Sequence, residues 1–598
     1  MLKTYRQIIG LLTPAERRHF YALVGLIFAM GIVDVFSVAS ILPFLAVVAN
    51  PDVIVRNGTL AKIYSEFGFT ERNAFLAFLG ATVFCFVVFG IAFRAATFYA
   101  LTRFTRRQGV SLATRLLNGY LAQPYGWYLT RHTAQLGRKV LSEVIEVVNG
   151  PIAAAMRLMG NIVVAVFLIL LLVAVEPLAA LAASILIGAS YGLIFLFVRS
   201  RLNSLGEVRI EANRQRFQIM QEALGGIKEV KLLNLEWVFL RRLHEPAARL
   251  AQSQAAMATI SEMPRHVLEA AAFGGMLLFV IWLLISGSGD LAAVIPVLGI
   301  YALAAVRLFP TIQQVYGGFA ALRFGSPALT SLQAELAELG SAQAPDHSQA
   351  QPISIRRSLR LDNISLTYPA AGRPALDGLS LTIRANTTVG FVGSTGAGKT
   401  TAADVILGLL QPDRGTLHVD GVAIDSSNLG AWQKSVGYVP QTIFLTDDTL
   451  AANIAFGIES KAVDPAALER AVRIARLDDL VRSLPNGYMT MVGERGTRLS
   501  GGQRQRIGIA RALYRDPDIL VFDEATSALD NLTERAVMDA VKDLGHQKTI
   551  ILIAHRLSTV RHCDEIFLFE NGRLAACGTY DELVETNSEF RAMHEATL

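Results

Sequence analysis

Six stretches in the first part of this 598-residue chain are long and apolar enough to cross a lipid bilayer, near 21–48, 74–100, 151–175, 178–198, 267–286 and 291–319. A spanning α-helix needs about 20 such residues, because lipid offers its backbone no hydrogen-bonding partner. No further span follows. The apolar excess is global as well: 52% of residues are hydrophobic and 18% charged, against about a quarter charged in soluble chains. This composition excludes a disordered chain, a collagen or a coiled coil. Three cysteines cannot build a disulfide framework, and a net charge of +5 is too mild to imply nucleic acid. The first span follows a basic, helix-like opening and exceeds the apolar core of a cleaved signal.

Basic residues set the expected orientation. The segment before the first span, the connection 101–146 and the connection 199–264 together hold 21 Lys or Arg, whereas the other connections hold 3. Both termini are therefore expected in the cytosol. The two basic connections have helical composition and should carry the spans on as long helices. Each is interrupted once, around QPYGWYLTRHT (123–133) and EALGGIKEVKLLNLE (222–236). Either these are plain helix hairpins or they are short transverse elements on which another domain docks. The expected organisation is a membrane helical domain over 1–324, a linker rich in Ala, Gln, Ser and Pro over 325–357, and a third region over 358–598.

In that last region short apolar runs alternate with helical patterns, which predicts an α/β fold. The apolar run TTVGFVG leads into GSTGAGKT at 393–400 and then a helical pattern, the context a phosphate-binding loop requires. Gly393, Ser394, Thr395, Gly396, Ala397 and Gly398 would wrap phosphates with backbone N–H groups, with Thr401 just beyond. Lys399 would reach the β- and γ-phosphates, and the Thr400 hydroxyl could ligate Mg²⁺. About 120 residues on, ILVFDE places two carboxylates at a buried strand's end. Asp523 is suited to the metal and Glu524 to the water that attacks the γ-phosphate.

Just before ILVFDE stands LSGGQ, at 499–503. With the phosphate loop and the acidic strand end, this resembles the ATP-binding cassette family. The resemblance implies an ABC exporter fold of six transmembrane helices fused to an α/β P-loop ATPase domain. It assigns Tyr368 to adenine stacking, Gln441 in YVPQ to Mg²⁺ and to sensing the membrane domain, and His555 in IAHR to the γ-phosphate. VGERG (492–496) matches an exporter loop that touches the transverse helices, and SALD (527–530, with Asp530) a dimer-contact loop. In the family Ser500, Gly501, Gly502 and Gln503 open a helix that faces ATP held by the other subunit. One cassette and six spans are half of the usual unit. The resemblance thus implies a homodimer with two equivalent ATP sites and ATP hydrolysis coupled to transport.

Cargo must be argued from the spans, where each charged residue costs about 2.5 to 3.5 kcal/mol. Arg94, Arg157, Arg265 and Arg307 all lie toward the expected cytosolic side. They either line an inward-open cavity as a basic belt suited to pyrophosphate, or snorkel and pair with Asp34 and Glu269. Arg307, between Pro296 and Pro310, is the strongest single candidate. In the long connection after the first span, Leu60, Ile63, Tyr64 and Phe67 fall on one face of a short helix. That face either packs on its own spans or engages a lipid tail. Together with GGIKEVKLLN and MPRHVLE, these features resemble the PglK-type lipid-linked oligosaccharide flippases of bacterial glycosylation. The implied substrate is a polyprenyl-pyrophosphate-linked oligosaccharide, moved from the cytosolic to the periplasmic leaflet of the inner membrane. A lipid A-type glycolipid flippase and a drug or peptide exporter remain open, although no protease domain precedes the spans. An ATP-gated channel would be expected to tolerate a damaged Glu524 or signature, and both are intact.

Overall fold

The computed structural model describes residues 2–49, 51–175, 177–286, 291–340, 350–369, 371–493, 496–524, 547–554 and 556–595. The chain forms two compact units. The first holds 1–123 and 131–344, and the second holds 345–598 together with Pro124–Thr130.

Among its described residues the first unit is built of helices and their connections. It opens with α1 (Leu2–Leu11) and α2 (Pro14–Ala39). Thr13 starts α2 through a reciprocal cap: its hydroxyl accepts from the Glu16 N–H at 3.3 Å, and the Glu16 carboxylate accepts from the Thr13 N–H at 2.7 Å. Short helices α3 (Ile41–Ala49), α4 (Val53–Arg56) and α5 (Gly58–Glu66) lead into α6 (Arg72–Leu121). At 50 residues, α6 is about 75 Å long, more than twice the bilayer core. After α7 (Tyr125–Tyr128) the chain re-enters through α8 (Thr133–Arg138), a π turn at Lys139–Glu143, α9 (Val144–Val147), a second π turn at Val148–Ile152 and α10 (Ala153–Val175). Pro151 lies inside the second π turn, where its missing N–H and its ring favour a widened turn over regular helix. Then come α11 (Pro177–Gly225), α12 (Ile227–Leu232), α13 (Glu236–Ser286) and α14 (Leu291–Leu339).

Glycines let these long helices approach closely. A Cβ on Gly206 of α11 would stand 2.2 Å from the Phe324 carbonyl oxygen of α14, a clash that backbone cannot relieve. A polar seam lies buried among the helices. Arg138 pairs with Glu143 at 3.3 Å, and Arg209 with Glu146 at 3.6 Å. Asn213 donates to Glu146 at 3.0 Å, Tyr120 donates to Glu335 at 2.8 Å, and Lys139 pairs with Glu335. The two interruptions of the long helices are the short elements α7 and α12.

The structure corrects the start of the predicted linker. Helix α14 runs through 325–339, because LTSLQAELAEL is made of strong helix formers. It stops at Gly340, whose φ of +66° suits the residue after a helix.

Among its described residues the second unit carries ten strands: β1 (Ser358–Leu366), β2 (Leu376–Arg384), β3 (Thr388–Gly393), β4 (Arg414–Val419), β5 (Val422–Ala423), β6 (Val436–Val439), β7 (Ile519–Asp523), β8 (Thr549–Ile553), β9 (Glu565–Glu570) and β10 (Arg573–Gly578). An antiparallel sheet runs β2-β1-β4-β5, and a larger one runs β10-β9-β3-β8-β7-β6, parallel from β9 to β6. Every residue of β7 and β8 is buried, which explains why their sequences show no alternation. In an open parallel sheet, ligands gather at the carboxyl ends of the strands. Only β8 separates β3 from β7, so their ends lie about 10 Å apart.

Candidate functional site

β3 ends at Gly393, and the loop 393–398 leads directly into α15 (Lys399–Ile406). Gly398 has φ +103°, and a Cβ there would meet the Ala375 carbonyl oxygen at 2.8 Å, so only glycine fits. Ser394, Thr395, Gly396 and Thr400 are exposed, whereas Ala397 and Lys399 are buried, Lys399 to 4%. The Lys399 ammonium curls back over its own loop and donates to the Gly393 carbonyl at 2.7 Å and the Ser394 carbonyl at 3.0 Å. Burial lowers its pKa, and the nearby carboxylates of Glu524 and Asp523 oppose that shift.

β7 delivers Asp523, 9% exposed, and Glu524 directly after it. Glu524 takes a left-handed backbone with φ +48°, held by its N–H donating to Ile553 at 3.1 Å. Such a conformation is uncommon for glutamate. Gln441 arrives just past β6, and its amide donates to the Glu524 carboxylate at 2.8 Å. Tyr438 donates to Asp523 at 3.4 Å. Asp404, on α15, has its pKa pushed up to about 6, first by burial and then by the charge of Asp523. Lys399, Gln441, Asp523 and Glu524 are thus brought together around the ends of β3, β6 and β7. The Tyr368 hydroxyl and the Thr401 hydroxyl lie 3.1 Å apart.

The signature residues form a separate feature. Ser500 caps the helix Gly501–Tyr514, and Gln503 answers from its third position: the Gln503 N–H donates to Ser500 Oγ at 3.2 Å, and the Ser500 N–H donates to Gln503 Oε1 at 2.8 Å. Among the described residues, no hydrogen bond joins 500–503 to the phosphate loop. His555, Asp530 and the rest of SALD, and the centre of VGERG lie outside the described residues. Arg511, near the end of the signature helix, was not singled out by its sequence. It donates to the Asn453 carbonyl at 2.8 Å and the Phe444 carbonyl at 2.7 Å, tying the segment after Gln441 to this helix. Its helical period marks it only as a partly buried position.

Tyr125–Tyr128 belongs to the same unit, and an added Cβ on Gly126 would meet a Leu410 methyl at 3.6 Å. Element α12 and its flanks carry exposed apolar side chains at Leu224, Ile227, Leu232, Leu233 and Trp237.

In the helical unit, Arg94 Nε donates to Asp34 at 3.2 Å, and Asp34 is buried. Arg265 Nε donates to Glu269 at 2.7 Å. Two of the four candidate arginines are therefore ion-paired. Arg157 is exposed and, among the described residues, has no carboxylate partner. Arg307 lies on α14, but its side chain is outside those described. The predicted external helix is α5. Its Leu60 is buried with Ile54, Phe75 and Leu79, Ile63 and Tyr64 pack against that cluster, and Phe67 is 64% exposed.

Family models match both halves: an ABC transporter transmembrane region over 24–304 and an ABC transporter domain over 376–527. An ATP-dependent lipid A-core flippase of Ralstonia nicotianae is 29% identical over 92% of this chain and 93% of that protein. A protein of the same name from Thiobacillus denitrificans is 29% identical over 97% and 98%. A solved bacterial Atm1-family ABC exporter with ATP bound superposes with a TM-score of 0.76, at 24% identity over 97% of this chain and 98% of that one. With a transmembrane region followed by an ATPase domain, both matched by ABC transporter models, the chain belongs to the ABC transporters, as a half-transporter that couples ATP hydrolysis to transport.

Proposed function

We propose that the chain works as a homodimer in the bacterial inner membrane, with both ATPase domains cytosolic, and flips an anionic glycolipid to the periplasmic leaflet. The observation that carries this reading is the near full-length likeness to proteins named lipid A-core flippases. Within the class, a polyprenyl-pyrophosphate-linked oligosaccharide is favoured by the residue that ends α5, Phe67, which rests on Phe78 with ring centroids 5.3 Å apart and still leaves 64% of its surface exposed. It is favoured further by Arg157, a cation with no carboxylate partner among the described residues. A lipid A-core glycolipid is the second reading, favoured by the names of the relatives.

In the ATPase cycle, Lys399 would exchange its two loop carbonyls for phosphate oxygens. Glu524, aimed by its strained backbone and held by Gln441, would take the proton of the attacking water. Asp530 and the signature residues Ser500 to Gln503 would complete the partner's ATP site, with His555 at the γ-phosphate. A hydroxyl from Thr400, a carboxylate from Asp523 and the amide oxygen of Gln441 form a hard-oxygen donor set that fits Mg²⁺. When bound, the ion would neutralise phosphate charge.

The test is ATPase activity of the homodimer in nanodiscs, titrated with a polyprenyl-pyrophosphate oligosaccharide, lipid A core and a cationic drug, and repeated with Arg157→Ala and Arg307→Ala. Stimulation by the pyrophosphate lipid, lost in the variants, supports the first reading. Stimulation by lipid A core alone selects the second, and response to the drug alone removes both.

A further inference from the structure

Helices α2 and α6 run side by side in opposite directions, in a register fixed along their length. Ser37 Oγ donates to the Phe86 carbonyl at 3.0 Å, and Arg94 Nε donates to Asp34 at 3.2 Å. The rings of Phe20 and Phe104 lie 6.5 Å apart, and Arg115 of α6 donates to the carbonyl of Leu11, just before α2, at 2.6 Å. Each step toward the start of α2 is therefore matched by a step toward the end of α6. Arg17 and Arg18 stand just before Phe20, while Arg103 and Arg107 flank Phe104. The register brings these four arginines within about 6 Å of one another along the helix axes. All four are exposed.

Their charge is not compensated nearby. Residues 1–33 contain one carboxylate, Glu16, and residues 95–142 contain none. Glu16 is engaged in capping α2, where it accepts from the Thr13 N–H at 2.7 Å. Arg17 Nε donates to the Ile9 carbonyl at 3.1 Å, a neutral acceptor that leaves the cation intact. Among the described residues Arg18, Arg103 and Arg107 have no carboxylate partner.

Depth narrows the choice of ligand. The apolar stretches 21–48 and 74–100 end at this same level, and Tyr21 and Tyr99 stand exposed at the boundary. On each helix an arginine follows one turn further on the same face: Arg17 after Tyr21, and Arg103 then Arg107 after Tyr99. Aromatic side chains at the boundary with cations beyond them are the pattern of a membrane interface. The arginines lie about 5–11 Å past the apolar stretches, and lipid headgroups occupy about 5–8 Å outside the hydrocarbon core. Long arginine side chains span the difference.

Uncompensated cations select an anion, and the exposed tyrosines at the apolar boundary select one that carries acyl chains. We propose that the inner ends of α2 and α6 form a binding site for the headgroup of an acidic phospholipid. Arg17, Arg18, Arg103 and Arg107 surround its phosphate, and Tyr21 and Tyr99 flank its ester groups. The inference uses the proposed orientation only to name the cytosolic leaflet, and it does not depend on which lipid is flipped. Arg94 and Asp34 already tie the two helices deeper in the bilayer, so a bound headgroup would join the pair at a second point.

The test titrates the detergent-solubilised homodimer with phosphatidylglycerol and with phosphatidylcholine, reading bound lipid by native mass spectrometry. Phosphatidylglycerol should bind more tightly. The double variants Arg103→Gln/Arg107→Gln and Arg17→Gln/Arg18→Gln should each weaken it by about fivefold or more, with phosphatidylcholine unchanged. Arg103 and Arg107 make no described hydrogen bond, and an unchanged unfolding midpoint checks that their variant is folded. Arg103→Lys/Arg107→Lys keeps the charge and should retain binding. Arg199→Gln/Arg201→Gln, which removes exposed arginines at the inner end of the 178–198 span, should leave it intact.

The proposal is overturned if the two lipids bind alike, if the glutamine variants bind phosphatidylglycerol as well as the parent, or if lysine fails as fully as glutamine. Equal loss in the Arg199/Arg201 variant would mean general surface charge and no site. Displacement of the lipid by equimolar inorganic phosphate would mean a soluble-anion site. If the variants keep phosphatidylglycerol but lose polyprenyl pyrophosphate, the cations serve the transported lipid and the proposal falls.

Discussion

The amide of Gln441 donates to the carboxylate of Glu524 at 2.8 Å, joining the loop after β6 to the acidic end of β7. Because Glu524 sits at φ +48°, this bond and the one from its own N–H to Ile553 fix a carboxylate that would otherwise relax. Replacing Glu524 by Gln keeps the shape and removes the proposed base. Turnover should fall by about 10²–10⁴-fold while nucleotide is still retained. Phosphate release and nucleotide trapping measure the two halves of this expectation, and normal hydrolysis by the variant would remove Glu524 from the role of base.

Gln503 closes the reciprocal cap with Ser500. Gln503→Ala should lower the unfolding midpoint by an amount equivalent to about 1 kcal/mol, and Gln503→Glu should restore most of it. Equal destabilisation by both variants would mean that the side chain acts elsewhere.

Asp404 gives a pH signature. Its pKa in the fold is raised to about 6 from the ordinary aspartate value near 4. The unfolded chain therefore releases this proton first as pH rises. Stability from the protonated form is complete below about pH 4 and lost as pH climbs through about 6. Asp404→Asn should raise the unfolding midpoint at pH 7.5, and the gain should shrink toward zero by pH 4. Differential scanning fluorimetry across that range checks the sign.

Arg511 grips two carbonyls of the 444–453 segment. A hydrogen bond from a charged group is worth about 1.5–3 kcal/mol, and lysine cannot reproduce the two-pronged donation. Arg511→Lys should therefore lower stability nearly as much as Arg511→Ala. Rescue by lysine, seen in denaturant midpoints, would show that charge alone matters.

Much of the ATPase domain is legible in the residue order, because a phosphate loop, a signature and an acidic strand end are contiguous strings whose chemistry dictates their context. Even the Ser500–Gln503 cap can be read as a serine followed three residues later by glutamine. Pairings across the fold cannot. The partnership of Arg94 with Asp34 spans two helices, and from sequence it is only an alternative to a free basic belt. The left-handed turn at Glu524 has no sequence signal, since no glycine or asparagine marks it. Helix α14 overran its expected end because a run of small polar residues after Gly325 reads as linker, whereas its Ala, Leu and Glu content makes helix.

The Arg94–Asp34 pair can itself be tested. Asp34→Leu leaves a cation without its partner and should destabilise the protein by more than the double variant Asp34→Leu/Arg94→Leu, which removes both charges. Thermal unfolding in detergent compares the three proteins. If Arg94 serves substrate instead, Arg94→Leu alone should abolish lipid stimulation at unchanged midpoint.

The curl of Lys399 onto the carbonyls of Gly393 and Ser394 makes the phosphate loop its own competitor. Its buried ammonium already has two acceptors, so any incoming anion must outbid them. A weakly basic, singly charged oxyanion gains little by the trade, whereas the clustered oxygens of a triphosphate repay it several times over. In the proposed ATP site the loop would thus act as a threshold, favouring anions of high charge density.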